Sequence, residues 1–107
     1  MKIVQTKRYL KDLKLLGAKA EDIDKLELEI ATSPESGDVI PGLEGIRKIR
    51  FSIGNKAKRG GGRAIYFLMV SEELAVMLFA YAKSEKEDLT NNEKKAAAKL
   101  IKEFRDD

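Results

Sequence analysis

Residues 46–82, IRKIRFSIGNKAKRGGGRAIYFLMVSEELAVMLFAYA, decide the fold of this chain. In 46–53, apolar side chains alternate with polar or charged ones, which is the period of a β-strand with one buried face. Residues 63–70 and 74–82 are apolar on both faces, as expected of central strands. The polar segment 71–73 predicts a tight turn between them. The stretch therefore predicts three consecutive antiparallel strands.

Helices are predicted on both sides of these strands. A short strand at 2–5 precedes helices at 6–16 and about 20–31, and a loop containing Pro and Gly follows at 33–45. A last helix opens with the capping-box pattern Thr-x-x-Glu and covers about 90–104. The apolar faces of the three helices are expected to be Tyr9, Leu10, Leu13 and Leu16, then Ile23, Leu26 and Ile30, then Ala97, Leu100, Ile101 and Phe104.

The order of these elements predicts the fold class. One domain over residues 1–107 is expected, an α+β fold in which two N-terminal helices and a C-terminal helix pack against one face of a small antiparallel sheet. Hydrophobic residues make up 43% of the chain and charged residues 36%, in keeping with a soluble globular protein. The apolar runs are shorter than the roughly 20 residues of a membrane-spanning helix. The N-terminus does not resemble a signal peptide, so a cytoplasmic protein is expected.

The composition excludes several kinds of chemistry. The chain contains neither cysteine nor histidine. Disulfide and thiolate chemistry are therefore ruled out, and so are the commonest zinc ligand and the commonest general acid or base. No metal or cofactor is expected, and any enzyme built on this chain must work with Arg, Lys, Tyr, hydroxyl groups or carboxylates.

The hairpin between the first two predicted strands is strongly basic. Residues 47–66 contain seven Lys or Arg and neither Asp nor Glu. On the first strand, Lys48 and Arg50 share one side, roughly 7 Å apart. Arg63 begins the next strand near the same surface. These cations predict a site for a phosphate backbone.

The turn of this hairpin adds further cations and accessible backbone. Lys56, Lys58 and Arg59 are followed by three consecutive glycines, 60–62, whose N–H groups a ligand can approach closely. The alternative is a solvated basic hairpin that only protects a strand edge from aggregation. A Walker-type phosphate loop is excluded, because the G-x-x-x-x-G-K-[ST] spacing is missing.

Two tyrosines and a lysine lie within or after the basic residues 47–66. Tyr66 and Tyr81 lie in the two apolar strands, where each is a candidate to stack on a base or to be a core residue. Lys83 lies just beyond the third strand and extends the cationic surface. The acids within 85–88 are either its salt-bridge partners or a general base.

Three segments, in this order, resemble the HigB branch of the RelE/ParE toxin superfamily. They are GDVIPGLEGIRKIRF, KAKRGGGRAIYF and LFAYAKSEKEDLT, and the similarity covers about residues 33–90. The specific features are the GDxIxG and RK(I/L)R motifs, the GGxRxIY motif and the later Y-x-K-x-E-x-x-D-L motif. This resemblance implies a RelE-like fold, which agrees with the predicted order of elements.

The resemblance implies a toxin of a type II toxin–antitoxin system. Such toxins are metal-independent endoribonucleases that enter the A site of the 70S ribosome and cleave translated mRNA there. The implied partner is a helix-turn-helix, HigA-like antitoxin. The toxin is expected to associate with operator DNA only through this antitoxin. In the reaction, a ribose 2′-hydroxyl attacks the adjacent phosphate, and Lys and Arg can assist this step without histidine.

The resemblance also assigns roles to individual residues. The implied catalytic set has Lys48 as general base or charge stabiliser and two arginines on the scissile phosphate; it comprises Lys48, Arg50, Arg63 and Lys83. The implied RNA contacts are Arg47, Lys56, Lys58, Arg59, Tyr66 and Tyr81.

This sequence departs from RelE itself at two positions. RelE has a further catalytic Arg and Tyr near the end of the sheet, and those positions hold Ser84 and Thr90 here. Two alternatives exist on the same fold: a ParE-like inhibitor of DNA gyrase, and a catalytically inactive RNA-binding or repressor component. The combination of Lys48, Arg50 and Arg63 favours the nuclease, because it has no obvious use in a gyrase binder.

Overall fold

The computed structural model describes residues 1–43, 45–54, 61–86 and 88–105. These residues form five strands and three α-helices, with one short 3-10 helix. In chain order the elements are β1 (Lys2–Gln5), α1 (Lys7–Leu16), α2 (Ala20–Thr32), β2 (Asp38–Val39), β3 (Ile46–Phe51), β4 (Gly62–Met69), the 3-10 helix (Val70–Glu72), β5 (Leu74–Ala82) and α3 (Asn91–Arg105). None of the described helices is long and apolar enough to cross a bilayer. The predicted α+β class is confirmed.

The strands form one sheet in the order β1-β5-β4-β3-β2. The three predicted strands β3, β4 and β5 are antiparallel neighbours, as expected. β1 adds to the outer edge of β5 in parallel, and the two-residue strand β2 adds to the outer edge of β3. β2 lies inside the segment that was predicted to be loop throughout. The central strands are therefore paired on both sides.

Helices cover both faces of the sheet, so the prediction of one covered face is wrong. The core on one face joins α1 and α2 to the sheet through residues such as Leu13, Leu26 and Met77. The core on the other face joins α3 to the sheet, for example through Ile101 and Phe67. The physical reason lies in β4 and β5, which are apolar on both sides and need cover on both. We call the second face the α3 face.

The helix ends follow the local signals in the sequence. The Thr6 hydroxyl accepts a hydrogen bond from the Tyr9 N–H at 3.2 Å, and Gly17 ends α1 with φ 74°. Thr90 and Glu93 form the predicted capping box, with side chain to backbone distances of 3.2 and 2.9 Å. These bonds satisfy backbone groups that a helix end leaves unpaired.

Two residues predicted to face the core are partly exposed. Leu10 on α1 has 44% of its surface exposed and Phe104 on α3 has 37%. Both lie at the margin of an otherwise buried helical stripe, where the packed partner surface has ended.

A β-bulge in β5 sets which side chains reach the α3 face. Ile65 pairs with Phe79 and Tyr66 pairs with Met77, so Leu78 has no partner on β4. Leu78 and Phe79 consequently both join the α3-face core. The shift also places Tyr81, two residues after Phe79, on the α3 face.

Candidate functional site

A row of three polar side chains crosses the α3 face at one end of the sheet. In the strand register, Arg50 of β3 lies opposite Arg63 of β4, and Arg63 lies opposite Tyr81 of β5. Directly opposed residues on antiparallel strands have side chains on the same face, close together. Two like charges in this position destabilise a sheet. The row therefore brings two arginines and a tyrosine together on one face of the sheet.

The members of this row differ in their access to solvent. Arg50 is exposed and has no ion-pair partner among residues 1–43, 45–54, 61–86 and 88–105. Arg63 is only 3% exposed, and its Nη1 donates to the Gly62 carbonyl at 3.0 Å. Tyr81 is 4% exposed, and the Lys86 ammonium lies 5.0 Å from the centre of its ring. Arg50 is thus the accessible cation of the row, while Arg63 and Tyr81 lie beneath the surface.

Lys48 lies one row further along the same face. It is two residues from Arg50 on β3, a spacing of roughly 7 Å. Its Nζ donates to Oδ1 of Asp88 at 2.8 Å, and 24% of its side chain is exposed. This hydrogen bond lowers the pKa of Asp88 below its ordinary value. Asp88 belongs to the segment between β5 and α3, so this segment reaches back over the sheet to Lys48.

Arg47 and Tyr66 lie on the opposite face, although the sequence grouped them with the other RNA contacts. They pair across β3 and β4, and Tyr66 belongs to the core beneath α1 and α2. The Arg47 Nη1 donates to the Gly37 carbonyl at 2.7 Å. A shift of one residue along a strand moves a side chain to the other face of the sheet. Arg47 and Lys48 are adjacent in the strand, and this offset of one residue was the signal that places their side chains on opposite faces.

Tyr66 has a structural role in this fold. Its ring is fully buried, and its hydroxyl donates to the Pro34 carbonyl at 2.6 Å and accepts from the Gly37 N–H at 3.1 Å. Burial raises the pKa of Tyr66, although the bond from Gly37 and the charge of Arg47 oppose this. The tyrosine connects the segment before β2 to the sheet, and its ring is not accessible to a stacking base.

Lys83 is the remaining predicted site residue that the structure describes. Lys83 is exposed and begins the turn after β5, where its N–H donates to the Gly61 carbonyl at 3.1 Å. That bond holds it beside the start of β4, near the Arg63 row. Lys56, Lys58 and Arg59, which were predicted to bind RNA, lie outside the described residues.

Two small grooves meet at Lys48. One, of about 330 Å³, follows the outer edge of β3 and is lined by Glu29, Ser36, Asp38, Lys48, Ile49 and Arg50. The other, also of about 330 Å³, lies on the α3 face and is lined by Ile40, Pro41, Lys48, Asp88, Leu89 and Lys94. Within the described part of the chain, no cluster of three or more acids could hold a metal ion. The cations that line the two grooves, Lys48, Arg50 and Lys94, can offer charge and hydrogen bonds to an anion.

Glu93 holds the segment that carries Asp88. Its carboxylate accepts from the Lys86 Nζ and from the Thr90 N–H, and it lies 3.8 Å from Arg8 of α1. The Arg8 guanidinium in turn lies 5.2 Å from the centre of the Phe79 ring. Sequence spacing identified Glu93 only as a capping residue, because its partners on α1 and in the β5–α3 segment are brought to it by the fold.

Acid is expected to weaken this network. Burial raises the pKa of Glu93, but hydrogen bonds from Lys86 and Thr90 outweigh burial and lower it below its ordinary value of 4.5. A depressed folded-state pKa stabilises the protein above the unfolded-state value, and that stability is lost as the pH falls through the folded-state value. Replacing Glu93 with Gln is expected to cost about 1 kcal/mol of unfolding free energy at neutral pH.

Urea unfolding at a series of pH values measures this effect. The difference between wild type and Glu93→Gln should shrink as the pH falls from about 4.5 to below the lowered folded-state pKa of Glu93, because the unfolded state then binds a proton that the folded state does not. Glu103→Gln, at an exposed position of the same helix, is the matched control and should show no such trend. A constant difference at all pH values would contradict the proposed origin of the stability.

Solved structures with a similar fold come from bacterial toxins. No protein-family model matches the chain. The isolated E. coli RelE toxin superposes with a TM-score of 0.57 at 19% identity, over 92% of this chain and 97% of that one. A conserved hypothetical protein from Helicobacter pylori superposes with a TM-score of 0.55 at 20% identity, over 79% and 97% of the two chains.

One chain of a toxin–antitoxin complex is similar as well. The E. coli RelBE toxin–antitoxin complex contains a chain that superposes with a TM-score of 0.54 at 20% identity, over 74% of this chain and 92% of that one. At these levels of identity, the similarity concerns the fold. The chain described here has a RelE-like fold, as the sequence motifs implied.

Proposed function

We propose that this protein is the toxin of a type II toxin–antitoxin system and an endoribonuclease of the RelE type. Its sequence motifs resemble those of the HigB branch. It would act in the cytoplasm on mRNA that occupies the A site of the ribosome. Support comes from the RelE-like fold, from the motifs in residues 33–90, and from the cations of the α3 face. Of these, the cations carry the argument for the activity.

The opposed pair of Arg50 and Arg63 is the single observation that most favours a phosphate ligand. Arg50 and Arg63 are directly opposed across β3 and β4, so an anion bound at Arg50 would lie close to both guanidinium groups. An arginine fork also matches the geometry of phosphate oxygens. The pair is therefore best explained by an anionic substrate.

The proposed reaction is an attack of a ribose 2′-oxygen on the neighbouring phosphorus. A bond from the 2′-oxygen to phosphorus forms while the proton of the 2′-hydroxyl passes to a solvent water, the bond from phosphorus to the 5′-oxygen breaks, and a 2′,3′-cyclic phosphate and a 5′-hydroxyl result. The negative charge that develops on the phosphorane oxygens must be stabilised, and the leaving 5′-oxygen must gain a proton. Arginine and lysine are suited to both tasks.

The geometry suggests how these tasks are divided. The Lys48 Nζ donates a hydrogen bond to the Asp88 carboxylate, and we assign it to charge stabilisation rather than to the role of general base. Arg50 is exposed and is assigned to the phosphate itself. Arg63 is buried behind it and is assigned to orienting Arg50 and strengthening the positive field. Lys83, exposed at the hairpin mouth, is assigned as the proton donor to the 5′-oxygen.

The proposed protein partner is a helix-turn-helix antitoxin of the HigA type, which would also connect the toxin to operator DNA. The E. coli RelBE complex, with a similar chain, is a toxin–antitoxin complex. No metal or cofactor is assigned to the reaction, because the cations of the site can supply the required charge.

Primer extension after brief expression of the wild-type protein tests the function. Two reporter messages are compared, identical except that one has a mutated start codon and is not translated. New cleavage sites confined to the translated message are expected. Growth arrest with both messages intact would contradict the proposal and favour a ParE-like gyrase inhibitor. Equal cleavage of both messages would contradict dependence on the ribosome.

A further inference from the structure

The groove on the α3 face combines two cations with an apolar wall. Lys48 of β3 and Lys94 in the first turns of α3 both line it and are both half-buried. Ile40, Pro41 and Leu89 supply the apolar wall. Two ammonium groups in a partly enclosed, low-polarity setting form a favourable site for an anion, because solvent screens the charges less there.

The protein's own carboxylate occupies this position. Asp88 lines the same groove and accepts the hydrogen bond of Lys48 at 2.8 Å. The hydrogen bond from Lys48 lowers the pKa of the Asp88 carboxylate, and the charge of Lys94 also lowers it. Asp88 thus shares the groove with both lysines, and its carboxylate bonds Lys48 at a place where an oxygen of a bound phosphate could do so.

Asp88 is attached in a way that allows it to leave. Its side chain is 76% exposed, whereas the next residue, Leu89, is buried in the α3-face core at 7% exposure. Leu89 therefore anchors the chain directly after Asp88, and the exposed Asp88 side chain can rotate away from Lys48. An exposed ion pair changes an equilibrium by at most about fivefold, so a phosphate that meets both lysines can displace it.

We propose that Lys48 and Lys94 form a subsite for a backbone phosphate of the RNA chain, and that Asp88 fills this subsite until RNA displaces it. The phosphate is one next to the scissile phosphate, since Arg50 lies a further two residues along β3. The apolar wall would pack against the sugar or base attached to it. This inference rests on the proposed function for the identity of the ligand.

Binding of an RNA that cannot be cleaved tests the subsite. The probe is a short fluorescent single-stranded RNA with a 2′-O-methyl group on every ribose, measured by anisotropy over a range of KCl concentrations. Lys94→Gln should weaken binding several-fold and make the slope of log affinity against log salt shallower by about 0.7, the value for one phosphate contact on a single strand. Lys95→Gln, its exposed neighbour on α3, is the matched control and should change neither quantity.

The Asp88→Asn variant tests the displaced carboxylate. It keeps the shape of the side chain and should raise the affinity for the RNA about three- to fivefold at low salt, because no anion has to be displaced. Equal behaviour of Lys94→Gln and Lys95→Gln would overturn the subsite. Unchanged or weaker binding by Asp88→Asn would overturn the displacement, since Asp88 would then only hold Lys48 in place.

Inorganic phosphate, added at constant ionic strength, separates a chain phosphate from a free one. If inorganic phosphate displaces the RNA only at phosphate concentrations far above the RNA concentration, the result supports a phosphate within the RNA chain as the ligand. Saturation of the groove by phosphate without any effect on RNA binding would overturn the assignment to RNA. These measurements need neither ribosomes nor catalysis. The two proposals can therefore fail separately. Lys94→Gln can bind RNA like wild type while translated mRNA is still cleaved, or Lys94→Gln can weaken RNA binding while no translated mRNA is cleaved.

Discussion

Replacing Arg50 with alanine is expected to lower the rate of mRNA cleavage by about 10²- to 10³-fold, the cost of removing one group that stabilises a developing oxyanion. Arg50 is the accessible arginine of the opposed pair, and none of the described acids pairs with it. Its loss should therefore leave the fold intact while it removes charge from the scissile phosphate. The measurement is single-turnover cleavage of mRNA on programmed ribosomes.

Two further variants sharpen this experiment. Arg50→Lys keeps the charge but loses the planar fork, so partial activity is expected. Lys99→Ala removes one exposed cation from α3 with the same change in net charge, and it should cleave like wild type. Near-normal cleavage by Arg50→Ala would remove this residue from the phosphate site. A thermal melt of each variant shows whether a loss of activity is only a loss of folding.

Replacing Tyr66 with alanine is expected to lower the free energy of unfolding by about 3–5 kcal/mol, as for other fully buried aromatic side chains. The ring is completely buried, and its hydroxyl bonds both the Pro34 carbonyl and the Gly37 N–H. Tyr66→Phe retains the ring and should cost about 1–3 kcal/mol, because these two backbone groups lose their buried partner. Urea unfolding at neutral pH measures both values.

The same two variants decide between a structural role and RNA stacking for this tyrosine. Tyr66→Phe is expected to bind the uncleavable RNA as wild type does, once the protein is shown to be folded. Leu28→Ala, at a side chain that is 67% exposed on α2, is the control for stability and should change it little. Wild-type stability combined with lost RNA binding in Tyr66→Ala would instead support the stacking role, because Ala removes the ring and Phe keeps it.

The candidate site could be predicted from the sequence only in part. Strand period placed Lys48 and Arg50 on one side of β3, and both lie on the α3 face in the structure. The same period separates Arg47 from them, which grouping by charge overlooked. Composition could not show that Arg63 is buried, because the burial of a side chain depends on what the rest of the chain packs above it.

The residues that surround Lys48 could not be predicted from the local sequence either. Asp88 is 40 residues from Lys48 in the sequence, and it was one of several acids near the end of β5. Lys94 was one of several lysines on a helix that was expected to pack on the same face of the sheet as the first two helices. Their meeting in one groove depends on α3 crossing the second face of the sheet, which no single segment encodes.

The sequence by itself determined the local elements of this protein: the alternation in β3, the apolar strands β4 and β5, the caps at Thr6 and Thr90, and the excess of cations in the hairpin. Those features are encoded within one or two turns of helix or a few strand residues. Only the tertiary structure decided that α3 covers the face opposite α1 and α2, and that β1 pairs in parallel with β5. These outcomes depend on burying apolar surface from distant segments at the same time, and so does the placing of Asp88 on Lys48.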